Sequence, residues 1–358
     1  MTFEIEELSI PERLDDSPAA RDFVDSVEAR NVAYAVAVGT DEMSYTAEEL
    51  LPGWQPSAHE PRRLFGARVD GRIVARGIYE TRTEGDAVST AWVGVQVHPD
   101  YTGRGIGRAL ADVVEGIAHD EDREKLHAYV TSTPAEGPRL VPPTGAGWVP
   151  AEAREVRFML ARDYELGQVE RGSRLPLPVA PDVFASRLAA AEAASADYRV
   201  HLWQRRTPRE FLDDLAVLAT RMSTDAPSGA LDEDEDLWTV ERWLEQEEQQ
   251  ASSPRVILYA AVEHVASGRL VGYTELSVPP ESDRPADQGD TIVMREHRGH
   301  RLGMLLKLAN IRHLEQTRPG HPSIITFNAE ENRPMLDVNE AVGFVPFTYD
   351  GAWHKKLR

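Results

Sequence analysis

The chain has 358 residues, enough for two domains at roughly 150 residues each, and its 41% hydrophobic and 28% charged content is that of a folded chain, not a disordered one. It contains no cysteine and no apolar run longer than seven residues, which excludes disulfides, thiolate metal sites, thiol nucleophiles and a membrane-spanning helix of about 20 residues. Sixty acidic against 39 basic residues give a net charge of −21, a field that repels nucleic-acid phosphates and favours cations, protonated amines among them.

In chain order, residues 3–9 alternate as a strand, and Ser17-Pro18 caps and opens a helix to about Ala37. Residues 63–69 and 72–79 make a hairpin around Asp70-Gly71. A strand over 87–97 ends at His98-Pro99 and runs into the Gly-rich stretch 102–108. Ile106, Leu110, Val113, Val114 and Ile117 then stripe one face of a helix, and 125–131 is the next strand. Pro138, Pro142 and Pro143 argue against a regular helix after it.

Residues 166–181 hold Gly167, Gly172, Pro176, Pro178 and Pro181 without periodicity and read as a linker, followed by a connector helix that Asp182 caps. The same plan then returns. It comprises a strand at 198–204, a helix from Thr207-Pro208 to about Met222, an acidic helix over 233–249 and a hairpin of 256–263 with 270–278. After these come a strand at 290–294, a loop at 297–303, a helix striped by Leu302, Leu305, Leu306 and Ala309, a strand at 323–328, a helix at 332–342 and closing strands at 344–349 and 353–357. Gly107 and Gly303 stand 196 residues apart. The expected division is a first domain at 1–162, a linker with connector helix at 163–197 and a second domain at 198–358.

A strand ending in glycines that feeds straight into a helix offers a phosphate site, because the first helical turn carries unpaired N–H groups and the positive end of the dipole. Gly103, Gly105 and Gly107 allow close approach, and Arg104 and Arg108 add charge. A Walker loop would need Gly-Lys-Ser/Thr where the chain has Gly107-Arg-Ala. A dinucleotide fingerprint would need different glycine spacing near the start of a parallel unit.

Residues 93–111, VGVQVHPDYTGRGIGRALA, resemble the acyl-CoA loop of the GNAT superfamily of acyl-CoA-dependent N-acyltransferases. The family pattern Gln/Arg-x-x-Gly-x-Gly/Ala falls on Thr102, Gly105 and Gly107. A second copy, TIVMREHRGHRLGMLLK at 291–307, puts Arg298 at the first position, Arg301 where the middle glycine belongs and Gly303 at the last. The segment 326–344, ending in Gly343-Phe344, is similar to the family's last strand, helix and turn. The Asn332-x-x-Met335-x-x-x-Asn339 pattern and the tandem plan resemble a mycothiol synthase-like branch of the family.

The resemblance implies an α+β fold: two tandem GNAT-like domains, each a splayed mixed sheet flanked by helices. The pantetheine arm of acetyl-CoA would lie in the gap as an extra strand. Acyl-CoA would be held by Val95, Val97, Gly103, Arg104, Gly105, Gly107 and Arg108 in the first copy. In the second, Thr291, Val293, Arg298, Gly299, His300, Arg301, Gly303, Met304, Asn328 and Asn332 would hold it. The second domain is expected to be the catalytic one, with Glu275, Asp290 and Glu330 as candidate bases and Asp225 receiving the substrate. Asn339 stands where many relatives have a tyrosine acid. The expected activity is direct acetyl transfer to a primary amine of a small molecule; the alternatives are a non-catalytic acyl-CoA sensor and a protein or peptide N-acetyltransferase. No metal is expected (His297 and His300 lack a third ligand), nor a nucleic-acid or membrane partner. A cytoplasmic monomer or homodimer is the expected form.

Overall fold

The computed structural model describes residues 2–132, 135–231 and 234–357. The elements are β1 (Glu4–Glu7), α1 (Pro18–Val38), α2 (Ala47–Leu50), β2 (Arg62–Val69), β3 (Arg72–Thr81), β4 (Thr90–Val97), α3 (Ile106–Asp120), β5 (Lys125–Ser132), β6 (Arg139–Leu140), β7 (Val149–Pro150), α4 (Arg154–Leu160) and β8 (Glu165–Pro176). They continue with α5 (Pro181–Ala194), β9 (Tyr198–Gln204), α6 (Leu212–Asp225), α7 (Val240–Ala251), β10 (Val256–His264), β11 (Arg269–Val278), β12 (Ala286–Val293), α8 (Leu302–Thr317), β13 (Ser323–Ala329), α9 (Arg333–Val342) and β14 (Val345–Lys356).

Contacts divide the chain into two compact units, residues 1–170 with 229–234 and 348–358, and residues 171–228 with 235–347. The first orders its strands β1-β2-β3-β4-β5-β14 with the first half of β8 beside β14; the second orders them β9-β10-β11-β12-β13 with the second half of β8 beside β13. In each, an amphipathic or apolar helix seals the sheet. In the first, Ile106, Leu110 and Val114 of α3 pack on Phe65, Ala75, Leu126 and Trp353. In the second, α8 is buried on nearly every side from Leu302 to Leu314, with Lys307 and Asn310 among its buried residues.

Two local signals act as expected, whereas Asp182 lies inside the first turn of α5 and does not cap it. The Ser17 hydroxyl accepts from the Ala20 amide at 3.2 Å and Pro18 opens α1. Asp70 and Gly71, at φ 49° and 85°, turn β2 into β3. Three further expectations fail. The segment 166–176 is strand β8, not a linker: it is buried on both faces, so no alternation shows, and Gly167 is there because a Cβ would meet Leu231 Cδ2 at 2.7 Å. The expected linker and connector helix is thus shared out: 163–170 belong to the first unit, and α5 packs Phe184, Leu188 and Ala191 into the core of the second. The chain end, expected as two strands of the second domain, is one strand whose residues 349–356 pair with β5 in the first unit. The acidic helix starts late, at Val240 with Thr239 as cap. Asp232 and Glu233 lie outside the described residues, while Asp234 pairs with Lys125 and Asp236 with Arg242.

The sheets share one feature that positions the site. β4 and β5 are parallel but pair only over Thr90, Ala91 and Trp92 with Lys125, Leu126 and His127. β12 and β13 pair only at Ala286 and Asp287 with Ile324 and Ile325. Beyond those residues each pair diverges.

Leu110 is fully buried over Gly77, where an added Cβ would meet its Cδ2 at 3.3 Å. Leu110→Ala should therefore destabilise the first unit by about 3 kcal/mol. A urea midpoint unchanged from wild type would contradict that packing.

Candidate active site

In the first unit, the loop after β4 delivers the expected residues to one place. Gly105 caps α3 in the left-handed region at φ 87°, and its carbonyl accepts from Ala109 N at 3.0 Å. The preceding first-turn amides have no carbonyl one turn back to bond to. A Cβ on Gly103 or Gly105 would meet nothing within 4 Å, so the space in front of the loop is open. There lies a cavity of about 600 Å³, lined by Val95, Gln96 and Val97 of β4, Gly103, Gly105, Gly107 and Arg108 of the loop, Tyr129 and Thr131 of β5, Tyr34 of α1 and Phe158 of α4. That volume suits a ligand of drug-like size or a substantial part of a larger one. Arg104 turns away from it, donating to Asp100 O at 2.8 Å and lying over the Tyr101 ring.

The second loop repeats the geometry with an arginine in the glycine position. Arg301 caps α8 at φ 55°, and its carbonyl accepts from Leu305 N at 3.0 Å. Gly299 and Gly303 again have open space before them. Arg298 donates from Nε to Val293 O at 3.0 Å and from Nη2 to Asp225 Oδ2 at 3.1 Å, and Arg295 Nε holds Asp225 Oδ1 at 3.1 Å. Asp225, expected to receive substrate, is therefore the nearly buried counter-ion of the loop arginines. Met304 points into the core, not toward the loop opening. His300 is exposed, 5.4 Å from the Tyr198 ring centre, and His297 Nδ1 lies 3.0 Å from the Tyr198 hydroxyl. Among the described residues no group of three or more His, Asp or Glu side chains could hold a metal ion.

Two of the three candidate bases come together. Between the pairs Thr274–Thr291 and Leu276–Gln288 the β11–β12 ladder slips, so the single residue Glu275 faces both Gly289 and Asp290. Such a bulge re-aims side chains. Gly289 leaves room for the Glu275 carboxylate; a Cβ there would sit 2.6 Å from Oε1. Tyr273 donates its hydroxyl to Asp290 Oδ2 at 3.1 Å, and Gln288 Nε2 donates to Glu275 O at 2.6 Å and Thr274 Oγ1 at 2.9 Å. Asp290 is exposed to solvent although protein atoms crowd around it. Burial and the neighbouring Asp290 charge push Glu275 up to about 8. Burial raises Asp290 too, and the Tyr273 hydrogen bond opposes it. In the first unit the ladder is regular and Ile78 faces Gly94, so no carboxylate stands at those positions.

Glu330 does not join them. Both its oxygens are taken by Arg171, at 2.9 and 2.7 Å, which makes it the counter-ion of that guanidinium. Asn332 caps α9, accepting from Met335 N at 3.3 Å. Asn328 Oδ1 accepts from Asn339 Nδ2 at 2.6 Å, and Asn339 is buried, its Oδ1 without a partner among the described residues. Sequence reasoning passed over Tyr273, Gly289 and Arg76; the one available signal was Arg76, a lone charge inside the apolar run 73–79.

A carboxylate that keeps its proton to about 8 when folded, against an ordinary 4.5, makes the folded state bind more protons across that window. Its contribution to stability therefore falls as pH rises from about 4.5 to about 8. Glu275→Gln should remove this dependence and be more stable than wild type by roughly 1–3 kcal/mol at alkaline pH, with the difference shrinking toward acid pH. Denaturation curves that stay parallel from acid to alkaline pH would contradict the burial of this carboxylate.

Residues 27–136 match the Acetyltransferase (GNAT) family. A mycothiol acetyltransferase of Frankia casuarinae is 26% identical over 321 residues, 85% of this chain and 77% of that protein. Among solved structures, a tandem GNAT protein from the clavulanic acid biosynthesis pathway superposes with a TM-score of 0.74 at 23% identity, covering 99% of this chain and 98% of that one. A GCN5-related N-acetyltransferase from Sphaerobacter thermophilus reaches 0.59 at 17% identity, covering 99% and 96%. A GNAT family match thus covers residues 27–136, and over the whole chain the fold is that of a tandem GNAT protein, with the splayed sheet built twice.

Proposed function

We propose that this chain transfers an acetyl group from acetyl-CoA to a primary amine of a small molecule, and that the second unit carries the chemistry. The observation that supports this most is the Glu275–Asp290 pair, set by the bulge of β12 beside the divergence of β12 from β13. A free alkylamine titrates near 10, so freeing its lone pair at pH 7 costs roughly 4 kcal/mol. A carboxylate pair attracts the ammonium form and takes its proton as the amine attacks the thioester carbonyl. Thr291 and Val293 offer backbone groups along the open edge of β12, and amides there can stabilise the oxyanion. Asparagine is no acid, so Asn339 leaves protonation of the departing thiolate to water. Acetyl as the transferred group is supported by the activity named for the Frankia relative.

The first unit, which has the cavity but no carboxylate pair, holds a CoA ester without turning it over. A second reading, an acyl-CoA sensor without turnover, draws on the asparagine at 339 and on Asp225 being tied to two arginines.

Thiol release from acetyl-CoA with a panel of primary amines separates these readings. Turnover should appear with at least one small amine and rise with pH to a plateau above about 8. Glu275→Gln and Asp290→Asn should each lower kcat by roughly 10²- to 10⁴-fold, with the acetyl-CoA KM little changed. Binding without thiol release across the panel would establish the sensor instead. Full turnover in the double variant would remove the pair from the chemistry.

A further inference from the structure

Arg76 lies on β3 opposite Gln96 of β4 and is only 5% exposed. Its Nε donates to Gln96 Oε1 at 2.7 Å. Among the described residues no carboxylate pairs with it, and its two terminal nitrogens have no acceptor. The charge that acts on it most is another cation. Arg30 of α1 is held by Asn31 Oδ1 at 2.9 Å and Met43 O at 2.8 Å and lies over the rings of Tyr34 and Tyr45, also without a carboxylate partner among the described residues. Burial and the Arg30 charge push Arg76 down to about 9, which still leaves it charged at neutral pH. None of the described carboxylates pairs with this guanidinium, although a buried unpaired charge is costly.

Gln96 and Tyr34, the neighbours of Arg76, line the 600 Å³ cavity that the glycine loop opens into. At the register position of Arg76 the second unit has Tyr273, which serves Asp290. On the corresponding strand pairs the two units therefore carry opposite charges, though not at the same positions: carboxylates at 275 and 290 in the second, a guanidinium at 76 in the first. We infer that the first unit's cavity binds a carboxylate alongside the CoA moiety, with Arg76 as its counter-ion. This is the chemistry either of an acyl thioester whose chain ends in a carboxylate or of a separate small carboxylate. The inference rests on the reading that this cavity takes a CoA ester.

Isothermal titration of the full chain with acetyl-CoA, with succinyl-CoA, and with acetyl-CoA in the presence of free succinate tests it. One site per chain should bind succinyl-CoA roughly ten- to hundred-fold tighter than acetyl-CoA, or acetyl-CoA should gain that affinity from free succinate. The arm that shows the gain identifies the source of the carboxylate. Arg76→Gln should abolish the gain, while Arg76→Lys should keep part of it; the lysine variant keeps the test open should the glutamine variant fail to fold. Equal affinity for the two esters with no effect of succinate overturns the inference, as does a gain that survives Arg76→Gln. If neither ester binds at all, the CoA reading of the cavity falls with it.

Discussion

Two parallel strands that begin paired and then part leave facing rows of backbone N–H and C=O groups unsatisfied. Both units of this protein are built on that constraint. β4 leaves β5 after three paired residues and β12 leaves β13 after two, and in each case the first strand runs on to a loop that starts a buried helix. A peptide-like chain entering the gap can satisfy those groups as a further strand would, and the unpaired first-turn amides of α3 and α8 wait at its outer end for negative charge. Everything else in the candidate site is placed relative to that gap.

From this common base the units have diverged in electrostatics. One slipped residue in β12 brings Glu275 and Asp290 together, and Gly289 is there because its hydrogen occupies the only space a Cβ could take beside the Glu275 carboxylate. The regular ladder of the first unit keeps Ile78 against Gly94 and seats a guanidinium that bonds Gln96 but, among the described residues, no carboxylate. The loops differ as well. Gly105 adopts its left-handed conformation without strain, whereas Arg301 adopts the same region at a cost of roughly 1–2 kcal/mol. Arg298 has also taken the Val293 carbonyl and Asp225 as partners. The second loop is thus a more charged, more tied-down version of the first.

The sequence made the local structure legible wherever the signal was local. The hairpin at Asp70-Gly71, the capped start of α1, the stripe of α3 and both glycine loops follow from neighbouring residues and lie where they were expected. The two copies of the plan were legible through the repeat, and Glu275 and Asp290 as carboxylates on the strands before the second loop, but the bulge that sets them side by side was not. What escaped depends on distance. β8 is buried on both faces, so its glycines look like a linker's, and β14 joins the first unit from the far end of the chain. Glu330 looks like a free base until Arg171, 159 residues earlier, is seen to hold it, and Asp225 until Arg298, 73 residues later, is placed beside it. Nothing in the linear order shows those pairings.

The account stands most directly on a crystal structure of the chain with acetyl-CoA. It predicts the pantetheine arm lying in the gap between β12 and β13, diphosphate on the amides at 299–304, and the thioester carbonyl beside the bulge that carries Glu275 and Asp290. An ester bound outside both gaps, or one in the second unit whose thioester lies far from that bulge, would contradict it.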